Sequence, residues 1–351
     1  MPVKSKKRVK RSPVEITVKA AETLPFPNKG SKVLELPVEL LMEILSYFGR
    51  LPIPLTADKN LSSLGVDTER SSRYLERTDV LRALSQTCKV WRHLFFPLLW
   101  ERLEPCLTHS SGCAWYKLFG ESLIRKSSFV CENPAIASHV RSMSVVFSRY
   151  SPATVLPACV RAIEALPNLH TLQIVRTHDK MANALKEAFD GHVFPGVRTI
   201  SLPSHAHHIL RCCPEVRKVI CNIRMDASTL VSAISNSCKK VEEIQGFRGT
   251  EKVMKRLAKA VPNLRSIKFD YPIPSSHLQH FSLLKKLAHI TLFSNQIFEK
   301  DAMVDAESLA CITLAKDIVR KAEGRRTVTV EYYDLFRNTH PAWSRGFNVD
   351  I

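Results

Sequence analysis

Glycine is scarce in this chain, with 11 among 351 residues against an average usage of about 7%. Phosphate-cradling glycine loops are therefore not expected. No Walker sequence, GxSxG elbow or HExxH pair occurs, which removes the hydrolase, nucleotide-binding and zinc-protease classes that announce themselves by motif. No run of 18 uncharged apolar residues exists, and the first residues are charged where a signal peptide needs an apolar stretch. Neither a membrane span nor secretion is expected. The ten cysteines lie between Cys88 and Cys311 with none in CxxC spacing, so no zinc site or dithiol redox pair is signalled. Reduced and mostly buried thiols in an intracellular protein follow. Acidic residues are outnumbered, 33 against 51 basic ones, for a net charge of +18.

Six of those positive charges, Lys4, Lys6, Lys7, Arg8, Lys10 and Arg11, fall in a segment with no acidic residue. Such a segment has no apolar surface to bury, so residues 1–30 read as a solvated basic tail. The run containing Lys6, Lys7, Arg8, Lys10 and Arg11 is similar to a nuclear import signal, which points to the nucleus, the cytoplasm or both. Beyond the tail, 45% of the chain is hydrophobic, enough for a sizeable core. Leu40, Leu41, Ile44, Leu45 and Phe48 share one helical stripe after Leu36 and Pro37, and Val80, Leu81, Leu84, Cys88 and Trp91 repeat that spacing. Leu94, Phe95, Leu98, Leu99 and Trp100 follow. Residues 49–79 hold prolines, serines and charges without a sustained apolar period, and read as a loop between the two helical halves.

Trp115, Leu118, Phe119, Leu123 and Ile124 predict a helix over residues 114–126. A repeat then begins. Its anchors are Val140, Met143 and Val145, then Leu169, Leu172 and Ile174, then Val197, Ile200 and Leu202. They continue through Val216, Val219 and Cys221, Val241 and Ile244, Leu264, Ile267 and Phe269, and Leu287, Ile290 and Leu292. Successive units start 19 to 29 residues apart, the length of a strand plus a returning helix. After Leu292 the pattern loosens: a helix is predicted over residues 302–322 and a strand from Thr327, with Phe336, Trp343 and Phe347 closing the last apolar face.

Leu36-Pro37-x-Glu39-Leu40-Leu41, Ile44-Leu45, Cys88-Lys89-x-Trp91 and Leu98-Leu99-Trp100 together resemble an F-box, the module by which substrate receptors join SCF ubiquitin ligases. The anchors from Val140 to Leu292 resemble the irregular leucine-rich repeats that often follow F-boxes. The fold class implied is α/β. A helical F-box over residues 31–104, carrying the 49–79 loop, precedes a helical linker over 105–135 and a parallel-sheet solenoid with a C-terminal cap over 136–351.

The resemblance implies a non-catalytic receptor subunit. Leu36, Pro37, Leu41, Ile44, Leu45 and Trp91 would dock a Skp-family adaptor and, through it, cullin and RING subunits. The solenoid would hold a protein substrate. Arg198, Arg217, Lys218, Arg265 and Lys268 alternate with the core anchors, and cations at strand spacing repel one another unless an anion lies between them. An acidic or phosphorylated substrate segment is the expected ligand there. No cofactor or metal is called for. His205, His207 and His208 lack a carboxylate or cysteine at ligand spacing and read as a solvated connection, and Gly246-Phe247-Arg248-Gly249 as the turn after a strand. Two other functions stay open: a nuclear nucleic-acid-binding protein using the basic tail, and a scaffold with no ligase association.

Overall fold

The computed structural model describes residues 36–48, 68–107, 114–222, 226–294, 305–333 and 344–350. The basic tail and its import-signal residues Lys6, Lys7, Arg8, Lys10 and Arg11 lie outside these, as do Phe336 and Trp343.

Three helices come first: α1 (Val38–Ser46), α2 (Thr68–Thr87) and α3 (Lys89–Trp100). Pro37 precedes α1 in an extended conformation, and its carbonyl accepts from the amides of Leu40 and Leu41. Cys88 caps α3 by accepting from the Trp91 amide at 3.5 Å, and the helix runs on through Pro97. The three share a small core in which Leu45, Leu81 and Phe95 are fully enclosed, surrounded by Leu41, Phe48, Val80, Leu84, Trp91, Leu94, Leu98 and Leu99. Trp91 stands edge-on to Phe95, their centroids 5.7 Å apart, a favoured aromatic geometry. α2 begins at Thr68, so the end of the segment read as a loop is helix instead. Of the side chains described from Leu75 to Asp79, only Leu75 is a buried aliphatic, and one anchor makes no stripe to read.

The rest is one open sheet of ten strands in sequence order. The strands are β1 (Arg102–Leu103), β2 (Ser142–Phe147), β3 (Thr171–Thr177), β4 (Thr199–Leu202), β5 (Lys218–Cys221), β6 (Glu243–Gln245), β7 (Ser266–Lys268), β8 (His289–Ser294), β9 (Thr327–Tyr333) and β10 (Ser344–Val349). Strands β1 to β9 are parallel to their neighbours and β10 returns antiparallel to β9. The register aligns the middle anchors directly: Leu103, Met143, Leu172, Ile200, Val219, Ile244, Ile267, Ile290 and Val328. Each is at most 3% exposed. A second row from Val140, Leu169, Val197, Val216, Val241, Leu264 and Leu287 is equally enclosed. Burying two such rows is the main stabilising contribution, at about 25 cal/mol per Å² of apolar area.

The connecting helices are α4 (Trp115–Glu132), α5 (Pro134–Ala137), α6 (Pro152–Glu164), α7 (Ala182–Phe189), α8 (His207–Leu210), α9 (Ser228–Ser237), α10 (Glu251–Ala260), α11 (Ser275–Leu278) and α12 (Ala306–Val319). From α4 and α6 to α12 each long or short helix touches the next, forming one layer. Parallel crossovers that advance in one direction with one hand place their helices on one face. The other face is left with the polar row Ser142, Thr171, Thr199, Lys218, Glu243, Ser266, His289 and Thr327, aligned by the same register.

The boundary expected at residue 104 is not a break. Leu103 is a strand residue of the sheet, and Leu75 of α2 is buried in the large core. Trp100 stacks on Phe129 of α4 at 5.5 Å, and Phe96 meets His139 edge-on. α4 itself packs on α6 as the first helix of the layer, where a linker was expected. At the other end Phe347 is half-buried opposite Val330, its ring 6.3 Å from Tyr332, so β10 does cover the last apolar edge.

Candidate functional site

One helix presents apolar residues on two sides. Leu41, Leu45 and Phe48 of the α1 segment point into the three-helix core, as an i, i+4, i+7 series must when one turn takes 3.6 residues. Leu36, Leu40, Ile44 and Tyr47 form a second series about 100° away, and these are exposed: Leu40 and Ile44 at 51%, Tyr47 at 80%. Val38 and Met42 are exposed on the opposite side of the helix, about 160° from Leu40, and Val90 at the start of α3 is also exposed. A soluble protein scatters single exposed apolar side chains, whereas a contiguous set of this kind marks a binding surface.

Of the six residues assigned to adaptor docking, Leu36, Pro37 and Ile44 are exposed on this face. Of the other three, Leu45 is 2% exposed and enclosed by its own core, while Leu41 and Trp91 are half-buried where they pack against Leu45, Leu81 and Phe95. The sequence reading merged the two series because adjacent apolar positions, Leu40-Leu41 and Ile44-Leu45, look like one broad stripe. Leu40 and Tyr47 belong to the exposed face with Leu36 and Ile44, and the 4, 4, 3 spacing from Leu36 to Tyr47 is its sign in the sequence.

The five cations assigned to substrate do not form a free positive strip. Arg198 donates to Glu215 at 2.8 Å, and the same carboxylate accepts from Lys240 at 2.6 Å. Those hydrogen bonds to Lys240 and Arg198 hold the Glu215 carboxyl below the usual range. Arg217 lies 3.8 Å from Glu242, Lys218 is 2.8 Å from Glu243 on the adjacent strand, and Lys268 is 2.6 Å from Glu331. Only Arg265 lacks a carboxylate partner among the described residues. The repulsion between Arg198 and Arg217 that called for an anion is thus relieved internally. Position divides the set as well. Lys218 and Lys268 belong to strands, while Arg198, Arg217 and Arg265 each precede one, at the edge where β4, β5 and β7 begin.

No protein-family model and no curated protein matches the sequence.

The described residues hold no group of three His, Cys, Asp or Glu side chains arranged to take a metal ion. The histidine cluster is a half-buried structural element, not the solvated connection that was expected. His205 Nε2 lies 2.7 Å from the Thr177 carbonyl, His207 Nδ1 lies 3.1 Å from that of Ser204, and the His207 and His208 rings are 4.0 Å apart. Burial drives the His208 pKa down to about 4, with His207 the next cause. Four buried thiols are poor nucleophiles. Burial pushes Cys106, Cys212 and Cys311 up to about 11 and Cys238 to about 12, far above the range in which a thiolate forms at neutral pH. Gly246 ends β6 with φ at 74°, the turn expected of that segment. No helix among the described residues is long and apolar enough to cross a membrane.

Proposed function

We propose that this chain is a non-catalytic substrate receptor of an SCF-type ubiquitin ligase. In this reading α1, α2 and α3 are an F-box that docks a Skp-family adaptor, and the sequential sheet with its helix layer is a leucine-rich-repeat-like solenoid that holds the target protein. The observation that carries the reading is the two-sided α1: Leu41, Leu45 and Phe48 fill a small private core while Leu36, Leu40, Ile44 and Tyr47 stay in water. A free helical unit gains nothing from that second stripe, and a partner that covers it gains affinity from a few central apolar anchors. The aligned anchor rows support the solenoid half. A receptor of this kind works by raising the effective concentration of substrate lysines near a conjugating enzyme, so it needs two binding surfaces and no reactive centre. The deep thiols fit that role. Changing Leu36 and Pro37 together to Ala should greatly reduce adaptor recovery in a pull-down while leaving the circular dichroism intact; undiminished recovery rejects the reading.

A nuclear nucleic-acid-binding function is the second reading, favoured by the basic run from Lys4 to Arg11 and the charge of +18. It requires affinity for DNA or RNA that falls steeply with salt. The carboxylates interleaved with the cations of the sheet count against the sheet as a polyanion track. The tail could still direct the chain to the nucleus, and deleting residues 1–12 should then move a tagged protein toward the cytoplasm without changing its melting temperature.

A further inference from the structure

At the edge where β5 to β8 begin, four successive units place six polar side chains in two rows. Arg217, Glu242 and Arg265 each immediately precede a strand and are joined through the backbone, Glu242 N donating to Arg217 O at 2.8 Å and Arg265 N to Glu242 O at 2.7 Å. Lys240, Asn263 and Lys286 sit two residues earlier in their units. Together they line a cleft of about 250 Å³. We propose that this cleft binds a single phosphate dianion carried on a segment of the protein that the sheet holds. The proposal rests on the receptor reading and names the chemical class of its ligand.

The pairing of charges decides where the anion sits. Lys240 is neutralised from outside the cleft by Glu215 at 2.6 Å, and Glu242 lies on the Arg217 side, 3.8 Å from that guanidinium. What remains uncompensated is Arg265, with no carboxylate among the described residues, and Lys286, whose ammonium donates only to the neutral Asn263 Oδ1 at 2.9 Å. That bond turns the Asn263 amide so that its Nδ2 hydrogens have no acceptor among the described residues. Two fixed cations and a free amide donor between them match one dianion in both charge and hydrogen bonds. Arg supplies a planar fork suited to phosphate oxygens, and Lys a point charge.

A nucleic-acid strand fits this edge less well. A phosphodiester chain needs cations at every few ångströms along its track, and here Glu215, Glu242 and Glu243 stand within two strands of Arg265, that is within about 10 Å at strand spacing. A single carboxylate would leave one of the two cations unmatched. The expected occupant is therefore a phosphorylated side chain, with the Glu242 side of the cleft rejecting a second negative charge close by.

The test uses the full chain and two capped tripeptides, Gly-phosphoserine-Gly and Gly-Glu-Gly, titrated by calorimetry. Saturable one-to-one binding of the phosphopeptide is expected, about tenfold or more tighter than the glutamate peptide. It should weaken at least about tenfold in the double variant Arg265→Gln/Lys286→Gln, and stay unchanged in Lys252→Gln, an exposed lysine of α10 in the helix layer. Both variants alter exposed side chains, and unchanged melting curves confirm folding. Equal phosphopeptide affinity in the wild type and the double variant overturns the proposal. So does polyuridylate binding that depends on Arg265 and Lys286 and is not displaced by the phosphopeptide. Adaptor capture depends on α1 and is measured on the same samples, so failure of the receptor reading is distinguished from failure of the cleft.

Discussion

Leu45→Ala and Ile44→Ala, neighbours in the chain, should have opposite consequences. Leu45 is 2% exposed in a core that has only two other fully enclosed members, Leu81 and Phe95. Truncation removes the transfer energy of the lost carbons and leaves a cavity that so small a core cannot redistribute, so about 3 kcal/mol of stability should be lost. Ile44 is 51% exposed. Its three lost carbons would be worth about 2.4 kcal/mol if fully buried, and half that exposure leaves roughly 1 kcal/mol. Thermal unfolding followed at 222 nm should show a lowered midpoint for Leu45→Ala and a small shift for Ile44→Ala. Adaptor capture should run the other way, with Ile44→Ala losing affinity while it remains folded. Equal destabilisation by the two substitutions would refute the two-sided assignment of α1.

Asn222 is buried, and its Nδ2 donates to the Ile174 carbonyl at 2.6 Å, so Asn222→Ala should cost about 2 kcal/mol in a urea titration by leaving that carbonyl unpaired. Gly246→Ala should destabilise by about 2 kcal/mol on the same assay, because φ is positive there and a Cβ would collide with the Cys221 carbonyl oxygen. His208 titrates near 4 in the fold against 6.5 unfolded. Between those values the unfolded state holds more protons, so its contribution is fully present above pH 6.5 and is lost as pH falls toward 4. Melting temperatures recorded from pH 7 to pH 4 should decline less steeply in His208→Gln than in the wild type.

The repeat was legible because each unit contributes one apolar residue in direct register with the next, from Met143 to Ile290, and a spacing of three before it returns at every strand. The first turns of α2 were not, since charged and hydroxyl residues dominate the sequence there and no apolar period begins before Val80. The charge pattern of the edge was hidden for another reason. Arg198 finds its carboxylate 17 residues away and Lys268 finds Glu331 63 residues away; no local rule reports pairs brought together by the stacking of units. The exposed half of α1 lay between these cases, visible in spacing but indistinguishable from core until α2 and α3 showed which side they cover.

The central claim is that α1 docks an adaptor, and the most direct measurement mixes the purified full chain with a purified Skp-family adaptor and follows the mixture by sedimentation velocity. The account predicts a one-to-one complex for the wild type and for Arg265→Gln/Lys286→Gln, and free components for Leu40→Glu/Ile44→Glu at an unchanged far-ultraviolet spectrum. A wild-type chain that sediments apart from the adaptor, or a complex that survives both glutamates on α1, would contradict it.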